Sequence, residues 1–196
     1  MSDRVTSVER TTRETQVELT INLDGQGTAS VNTGLGFFDH MLTALATHAW
    51  FDLDLRCAGD LEVDDHHTVE DCAIVMGEAI RGALGDRRGI RRFASSYAPL
   101  DESLARVVVD LSGRASAEVN LGLKRDRIGA VACENITHFF TSFAMAARLT
   151  LHVDVLRGEN DHHKAEAAFK ALALAMREAV ASDGVRDRVP STKGVL

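Results

Sequence analysis

The sequence predicts an α+β fold built from one small sheet-plus-helices unit written twice, with the two copies packed through their helix layers. Three observations predict it. Leu23-Asp24-Gly25, followed by Val31-Asn32-Thr33-Gly34-Leu35, returns 88 residues later as Leu111-Ser112-Gly113, followed by Val119-Asn120-Leu121-Gly122-Leu123. Asp65-His66-His67-Thr68-Val69-Glu70 returns 96 residues later as Asp161-His162-His163-Lys164-Ala165-Glu166. Around these anchors each half alternates short period-2 stretches, the mark of half-buried strands, with longer stretches of helical period.

Residues 16–23 set Val17, Leu19, Ile21 and Leu23 against polar neighbours, which makes a strand with one buried face. Gly25 and Gly27 supply the turn into a second strand at 28–32. From 37 to 48, Phe38, Met41, Leu42 and Leu45 fall at helical spacing, and 51–56 alternates again. Val69, Ala73, Met76, Ala79, Ile80 and Leu84 then continue a helix that begins at the double histidine. The second half repeats this order, with strands near 105–111 and 115–121, a helix near 137–147, a strand near 149–156 and a helix from about 162 to 181. Aromatic-flanked histidines, His40 after Phe37-Phe38 and His138 before Phe139-Phe140, sit 98 residues apart. The growth of the offset from 88 to 98 places an insertion of about ten residues around 124–135, where charges and glycine predict a longer loop. Halves of about 1–95 and 96–196, with no linker between them, should share one core as a single unit.

Composition limits the partners. Of 196 residues 45% are hydrophobic, enough for a sizeable core, and 22 basic against 29 acidic side chains give a net charge of −7. That charge is opposite to the footprint of a phosphate-backbone binder, so no nucleic-acid partner is expected. No stretch approaches the roughly 20 apolar residues of a membrane span, and the polar start Met1-Ser2-Asp3-Arg4 lacks a signal segment, so the expectation is a cytoplasmic protein without a membrane partner. Cys57, Cys72 and Cys133 have no paired spacing and read as small buried hydrophobes.

The double histidines carry the chemistry. Successive helix residues point about 100° apart, so His66 and His67 should serve different metal ions, while Glu70 lies one turn beyond both. The same holds for His162, His163 and Glu166; His40 and His138 add one imidazole per half. Six histidines and two glutamates divide into two sites of three nitrogens and one oxygen, leaving positions open for substrate. Such donors suit Mn²⁺, Fe²⁺, Co²⁺ or Zn²⁺. One helical histidine–glutamate pair is ordinarily a solvated surface pair; the duplication, with an upstream histidine each time, argues for metal. Because each double histidine diverges, one imidazole can reach an ion completed by a neighbouring subunit, which predicts a homo-oligomer with sites at its interfaces.

Several segments together resemble the imidazoleglycerol-phosphate dehydratase family over essentially the full chain. They are Arg10-Thr11-Thr12-Arg13-Glu14-Thr15, Phe38-Asp39-His40-Met41-Leu42, Gly59-Asp60 with Asp64 to Asp71, Pro99-Leu100-Asp101-Glu102, Asp110-Leu111-Ser112-Gly113-Arg114, Asn160-Asp161-His162-His163 with Glu166 and Lys170, and the terminal Ser191-Thr192-Lys193-Gly194-Val195-Leu196. The resemblance implies a duplicated fold related to the second domain of ribosomal protein S5, a 24-subunit assembly and two Mn²⁺ ions per active site. It implies dehydration of imidazole glycerol phosphate to imidazole acetol phosphate in histidine biosynthesis, through a metal-bound imidazolate and a diazafulvene. Some members carry a fused phosphatase; this chain, which starts almost at the dehydratase segment, is expected to be monofunctional.

Carried over residue by residue, the resemblance makes His40, His66, His67, Glu70, His138, His162, His163 and Glu166 metal ligands, most of them also lining the substrate. Glu14 resembles the acid/base carboxylate, with Asp101, His48, Lys170 and Glu166 around the reacting side chain. Arg92, Arg114, Ser191, Thr192 and Lys193 resemble the phosphate clamp, for which guanidinium forks and an ammonium are suited. By ordinary expectation Glu14 would be an exposed strand residue, Lys170 a solvated helix lysine, Arg87, Arg88, Arg91 and Arg92 a solvated run, and 191–196 a frayed tail. His48 lies eight residues from His40, about 12 Å along the helix, too far to share its ion.

Two rivals remain at this stage. A binuclear hydrolase acting on a phosphorylated small molecule would use the same ligands but needs a bridging carboxylate, and no further acidic residue is seen recurring in both halves. A metal-storage or metal-stabilised assembly protein would need neither the arginines nor the terminal Ser-x-Lys.

Overall fold

The computed structural model describes residues 4–182, 184, 188–194 and 196; the first three residues and Val195 of the terminal motif lie outside them. In chain order the elements are β1 (Val5–Thr11), β2 (Thr15–Asn22), β3 (Ala29–Asn32), α1 (Gly36–Ala49), β4 (Asp52–Gly59) and α2 (His66–Leu84). The second half has β5 (Phe93–Leu100), β6 (Ser103–Asp110), β7 (Ser116–Asn120), a short hairpin of β8 (Arg127–Ile128) and β9 (Val131–Ala132), α3 (Cys133–Ala147), β10 (Thr150–Arg157) and α4 (Asp161–Val180). The two four-stranded sheets have the same order, β1-β2-β4-β3 and β5-β6-β10-β7, antiparallel except for the last pair in each. Duplication is therefore visible strand for strand. The hairpin β8–β9 is the insertion that the shifting offset predicts.

Each sheet buries one face. In β2 the alternation is strict, with Val17, Leu19 and Ile21 at 0 to 2% exposure and polar residues between them. The helices cover these faces and then meet each other across the halves, α2 against α3 and α1 against α4. Gly77 permits the first contact: a Cβ there would lie 2.7 Å from both the Phe143 carbonyl oxygen and the Ala147 nitrogen. Phe139, Phe140, Phe143 and Phe169 fill the centre of this helix layer, with Phe139 and Phe169 rings 5.0 Å apart and Phe38 joining from the first half. Phe38 and Phe139 are near neighbours in sequence of His40 and His138, so one face of each helix is fixed in the core while another presents an imidazole.

The structure corrects three expectations. Sequence reading assigned no strand to β1 or β5, yet both are edge strands of eight or fewer residues, β1 exposed at most positions and β5 at every other one. Helix α3 begins at Cys133, four residues earlier than expected, directly after the hairpin. Arg87 is not part of a solvated run: it is 5% exposed, and its guanidinium donates to the carbonyls of Leu111 at 3.0 Å, Ala147 at 3.1 Å and Arg148 at 3.3 Å. It thereby ties the connection after α2 to the C-terminal end of α3. Arg87→Met should cost about 2–3 kcal/mol, the scale of losing buried hydrogen bonds from a charged donor, measurable as a lower denaturation midpoint in urea. Cys72 and Cys133 are buried and Cys57 is half-buried; all three are free.

Candidate metal centre

Helix N-termini position the double histidines. Asp64 accepts the backbone N–H of His66 at 2.8 Å, and Asn160, at the matching place, accepts that of His162 at 2.9 Å. These bonds fix the first turns of α2, which opens at His66, and of α4, which opens one residue before His162 with Asn160 as its cap. On the facing helix, Asp39 accepts both the backbone N–H and the hydroxyl of Thr33, at 2.9 and 2.6 Å, which fixes the entry into α1 beside His40.

Two clusters result, each assembled from both halves. His66 and Glu70 of α2 meet His138 of α3, and His162 and Glu166 of α4 meet His40 of α1; within each trio one ligand atom per residue lies within 4.8 Å of the others. His138 Nε2 is 2.9 Å from Glu70 Oε1, and His66 Nε2 is 4.0 Å from Glu70 Oε2. In the second cluster Glu166 Oε2 lies 3.2 Å from Nε2 of both His40 and His162. Imidazole nitrogens and a carboxylate oxygen converging without thiolate fit a borderline divalent cation.

His67 and His163 face elsewhere. Their rings stand at 80° and 85° to those of His66 and His162, with centroids 5.9 and 6.0 Å away. His67 donates from Nδ1 to both oxygens of Asp60 at 3.1 Å, and its Nε2 is 3.7 Å from Glu14. His163 donates from Nδ1 to Glu102 at 2.7 Å, and its Nε2 is 3.8 Å from Asp101. The hydrogen bond to Asp60 raises the proton affinity of His67, that to Glu102 raises His163, and the same contact holds the Glu102 carboxyl far below the usual range. Within one chain each cluster thus has two nitrogens and one oxygen, one imidazole fewer than the sequence count assigned.

Around the second cluster Lys170 Nζ sits 2.6 Å from Glu166 Oε1, so it is an engaged partner rather than a solvated lysine. Burial lowers the His48 proton affinity, helped by the charge of Lys170, which places His48 near this cluster but outside the trio. Asp101 is exposed in the turn between β5 and β6.

The expected phosphate clamp lies at the other end of those strands. Arg92 precedes β5, pairs with Asp110 at 2.7 Å and donates to the Pro190 carbonyl at 2.7 Å. Arg114 follows β6, and Ser191, Thr192 and Lys193 lie in the described part of the terminal segment, where Ser191 Oγ accepts the Lys193 N–H at 3.2 Å. Leu196 reaches Gly113, beside Arg114.

Sequence reasoning missed Asp60 and Glu102 as partners of the second histidines, and Asn135, whose Oδ1 accepts the Nδ1–H of His66 at 3.0 Å. It also held that no further acidic residue recurs in both halves. Glu14 and Glu102 do: they are 88 residues apart, in equivalent turns, each against a second histidine. Neither bridges the two clusters.

A duplicated α+β fold that converges histidine and carboxylate side chains from both halves is the frame of an enzyme. Comparison with known proteins gives the family. The family described as imidazoleglycerol-phosphate dehydratase matches residues 33–176. The imidazoleglycerol-phosphate dehydratase of Saccharomyces cerevisiae is 50% identical over 220 aligned positions that span all of both chains. A relative of the same name from Phytophthora nicotianae is 58% identical over 98% of this chain, which covers 42% of that longer protein. Solved imidazoleglycerol-phosphate dehydratase structures superpose closely. That from Pyrococcus furiosus has a TM-score of 0.84 and 37% identity, covering 96% of this chain and all of the other. That from Staphylococcus aureus has 0.82 and 38%, covering 91% and 99%. The chain belongs to the imidazoleglycerol-phosphate dehydratase family, hydro-lyases of histidine biosynthesis. Among the described residues no helix is long and apolar enough to cross a membrane.

Proposed function

We propose that the chain removes water from imidazole glycerol phosphate to give imidazole acetol phosphate, at a site holding two Mn²⁺ ions, in a cytoplasmic homo-oligomer of 24 subunits. The observation that carries this reading is the pair of trios, His66–Glu70–His138 and His40–His162–Glu166, whose donor atoms converge within 4.8 Å. The reaction is difficult because the carbon-bound proton has no adjacent carbonyl to accept its electrons. Divalent cations on the two ring nitrogens would favour the deprotonated imidazole ring, whose electrons can expel the side-chain hydroxyl as a diazafulvene forms. Loss of the neighbouring carbon-bound proton then gives an enol that becomes the ketone.

The chain's own residues orient and move protons. Glu14, half-exposed with its carboxylate 3.7 Å from His67 Nε2, is suited to accept or return a proton at the rim of the site. Lys170, Asp101 and His48 offer hydrogen-bonding groups to the glycerol side chain. Arg92, Arg114, Ser191, Thr192 and Lys193 offer donors to phosphate.

Strand geometry supports sites shared between subunits. Arg92 and Asp101 bracket the eight residues of β5, which at strand rise separates them by roughly 25 Å. A three-carbon phosphorylated imidazole is far too short to span that distance, which supports a reading in which the clamp of one chain serves the trios of another. His67 and His163 face away from their own trios, and in this reading they complete trios of neighbouring subunits. Among metal-dependent alternatives, a hydrolase would need a carboxylate between the trios to hold two ions around one water, and among the described residues none joins both trios.

The test is turnover of imidazole glycerol phosphate by purified protein stripped with chelator and given Mn²⁺, following the ketone. Product only with Mn²⁺ is expected. Full activity in the stripped protein would overturn the metal role, and absence of product from metal-loaded, assembled protein would overturn the dehydratase reading.

A further inference from the structure

We infer that the two trios are built unequal, so that the His66–Glu70–His138 trio holds a divalent cation more tightly and fills first. This rests on the metal reading above and concerns four places where the internal duplication is broken beside the ligands.

The first pair is Asn135 and Phe37, which occupy equivalent positions three residues before His138 and His40. Asn135 is 4% exposed and accepts the Nδ1–H of His66 at 3.0 Å. That bond fixes the imidazole tautomer with the Nε2 lone pair free and directed to Glu70, and a ligand so oriented has less freedom to lose on binding. At the matching place Phe37 presents its ring edge-on to His162, centroids 5.1 Å apart. A phenyl ring accepts no such bond, so among the described contacts His162 meets a side-chain acceptor only through Nε2, at Glu166, and its Nδ1 has no counterpart of Asn135.

The second pair is Lys170 and Ile74, each four residues after its trio's glutamate. The Lys170 ammonium is 2.6 Å from Glu166 Oε1, on the oxygen opposite the Oε2 that faces His40 and His162, and draws negative charge away from a cation held there, while Ile74 offers Glu70 no charge at the matching place. His48 and Ala146 form a further unequal pair, with the half-buried imidazole on the Lys170 side only. Ser142, whose mate is Ala44, adds a hydroxyl 3.2 Å from His138 Nε2 in the first trio alone. Asn135 and Ser142 therefore add polar partners beside the first trio alone, whereas Lys170 sets a positive charge on the carboxylate of the second.

The experiment is Mn²⁺ binding to the chelator-stripped full-length protein without substrate, read from the electron paramagnetic resonance of free Mn²⁺ in equilibrium dialysis. Wild type should show two classes of one ion per chain, separated by about tenfold or more. His138→Ala should remove the tight class and His40→Ala the weak one. Asn135→Leu should loosen the tight class by about 10–100-fold, and Lys170→Gln should tighten the weak class by roughly tenfold, the scale of one nearby cation. Phe37→Asn keeps the test decisive if Asn135→Leu fails to fold: by restoring an acceptor to His162 it should tighten the weak class. Two equal sites in wild type, or loss of the tight class in His40→Ala, would overturn the inference while leaving the metal reading intact. No bound Mn²⁺ at all would overturn both.

Discussion

Glu166→Ala should lower turnover of imidazole glycerol phosphate by about a thousandfold while the fold survives. Glu166 is 9% exposed and is the only carboxylate of its trio, contacting His40 and His162 at 3.2 Å each and Lys170 at 2.6 Å. Those contacts depress its proton affinity against the opposing effect of burial, with Lys170 the larger and His40 the smaller, so it stands ionised. Its loss leaves two imidazoles and an unopposed ammonium, a set that repels rather than holds a divalent cation. Charge stabilisation by a bound cation is worth several kcal/mol at a transition state, and about 4 kcal/mol corresponds to a thousandfold in rate. Steady-state kinetics with saturating Mn²⁺, alongside circular dichroism of the variant, checks it. A loss under tenfold would mean that this trio does not hold the catalytic cation. Glu166→Gln separates charge from shape: it keeps the side-chain length but not the anion, and should fall nearly as far.

Much of this site was legible because its information is local. The i, i+4 relation of His66 to Glu70 and of His162 to Glu166 follows from helical pitch alone, and so does the divergence of His67 and His163. The buried alternation of β2 and β6 is written in Val17, Leu19 and Ile21 and in Ala105, Val107 and Val109. What escaped depends on partners distant in sequence. Asn135 becomes a partner of His66 only because α2 and α3 approach closely at Gly77, a fact about packing rather than periodicity. β1 and β5 are edge strands whose inward stripe is weak in sequence, since β5 turns Ala94, Ser96, Ala98 and Leu100 toward the core and β1 only Val8 among its large apolar residues. The recurrence of Glu14 as Glu102 was there to be read at the 88-residue offset, but its meaning needed the turns that press both carboxylates against histidines.

Asp161→Ala should cost about 3–5 kcal/mol of stability, the scale of breaking a buried ion pair by removing one partner. Asp161 and Lys164 are 2% and 4% exposed, with Lys164 Nζ 2.8 Å from Asp161 Oδ1 and 2.8 Å from the Gly122 carbonyl. The other oxygen, Oδ2, accepts the backbone N–H groups of Lys124 and Arg125 at 2.8 and 2.7 Å. One carboxylate therefore neutralises a buried ammonium and anchors the start of the inserted segment. Asp65, the first residue of the other motif, anchors its end, accepting the Ala132 N–H at 2.8 Å and facing Arg127 at 3.4 Å. The ten-residue insertion is thus strung between the acidic residues that open the two motifs. This gives the repeated aspartate a reason that metal ligation does not supply. Urea denaturation of the metal-free protein should place Asp161→Ala well below wild type. Asp161→Ala with Lys164→Met should recover part of the loss, because the uncompensated buried charge is gone while the unsatisfied amides remain. Equal stability of Asp161→Ala and wild type would mean that the pair is solvated in the assembled protein, and that the hairpin is held by its own β8–β9 bonds instead.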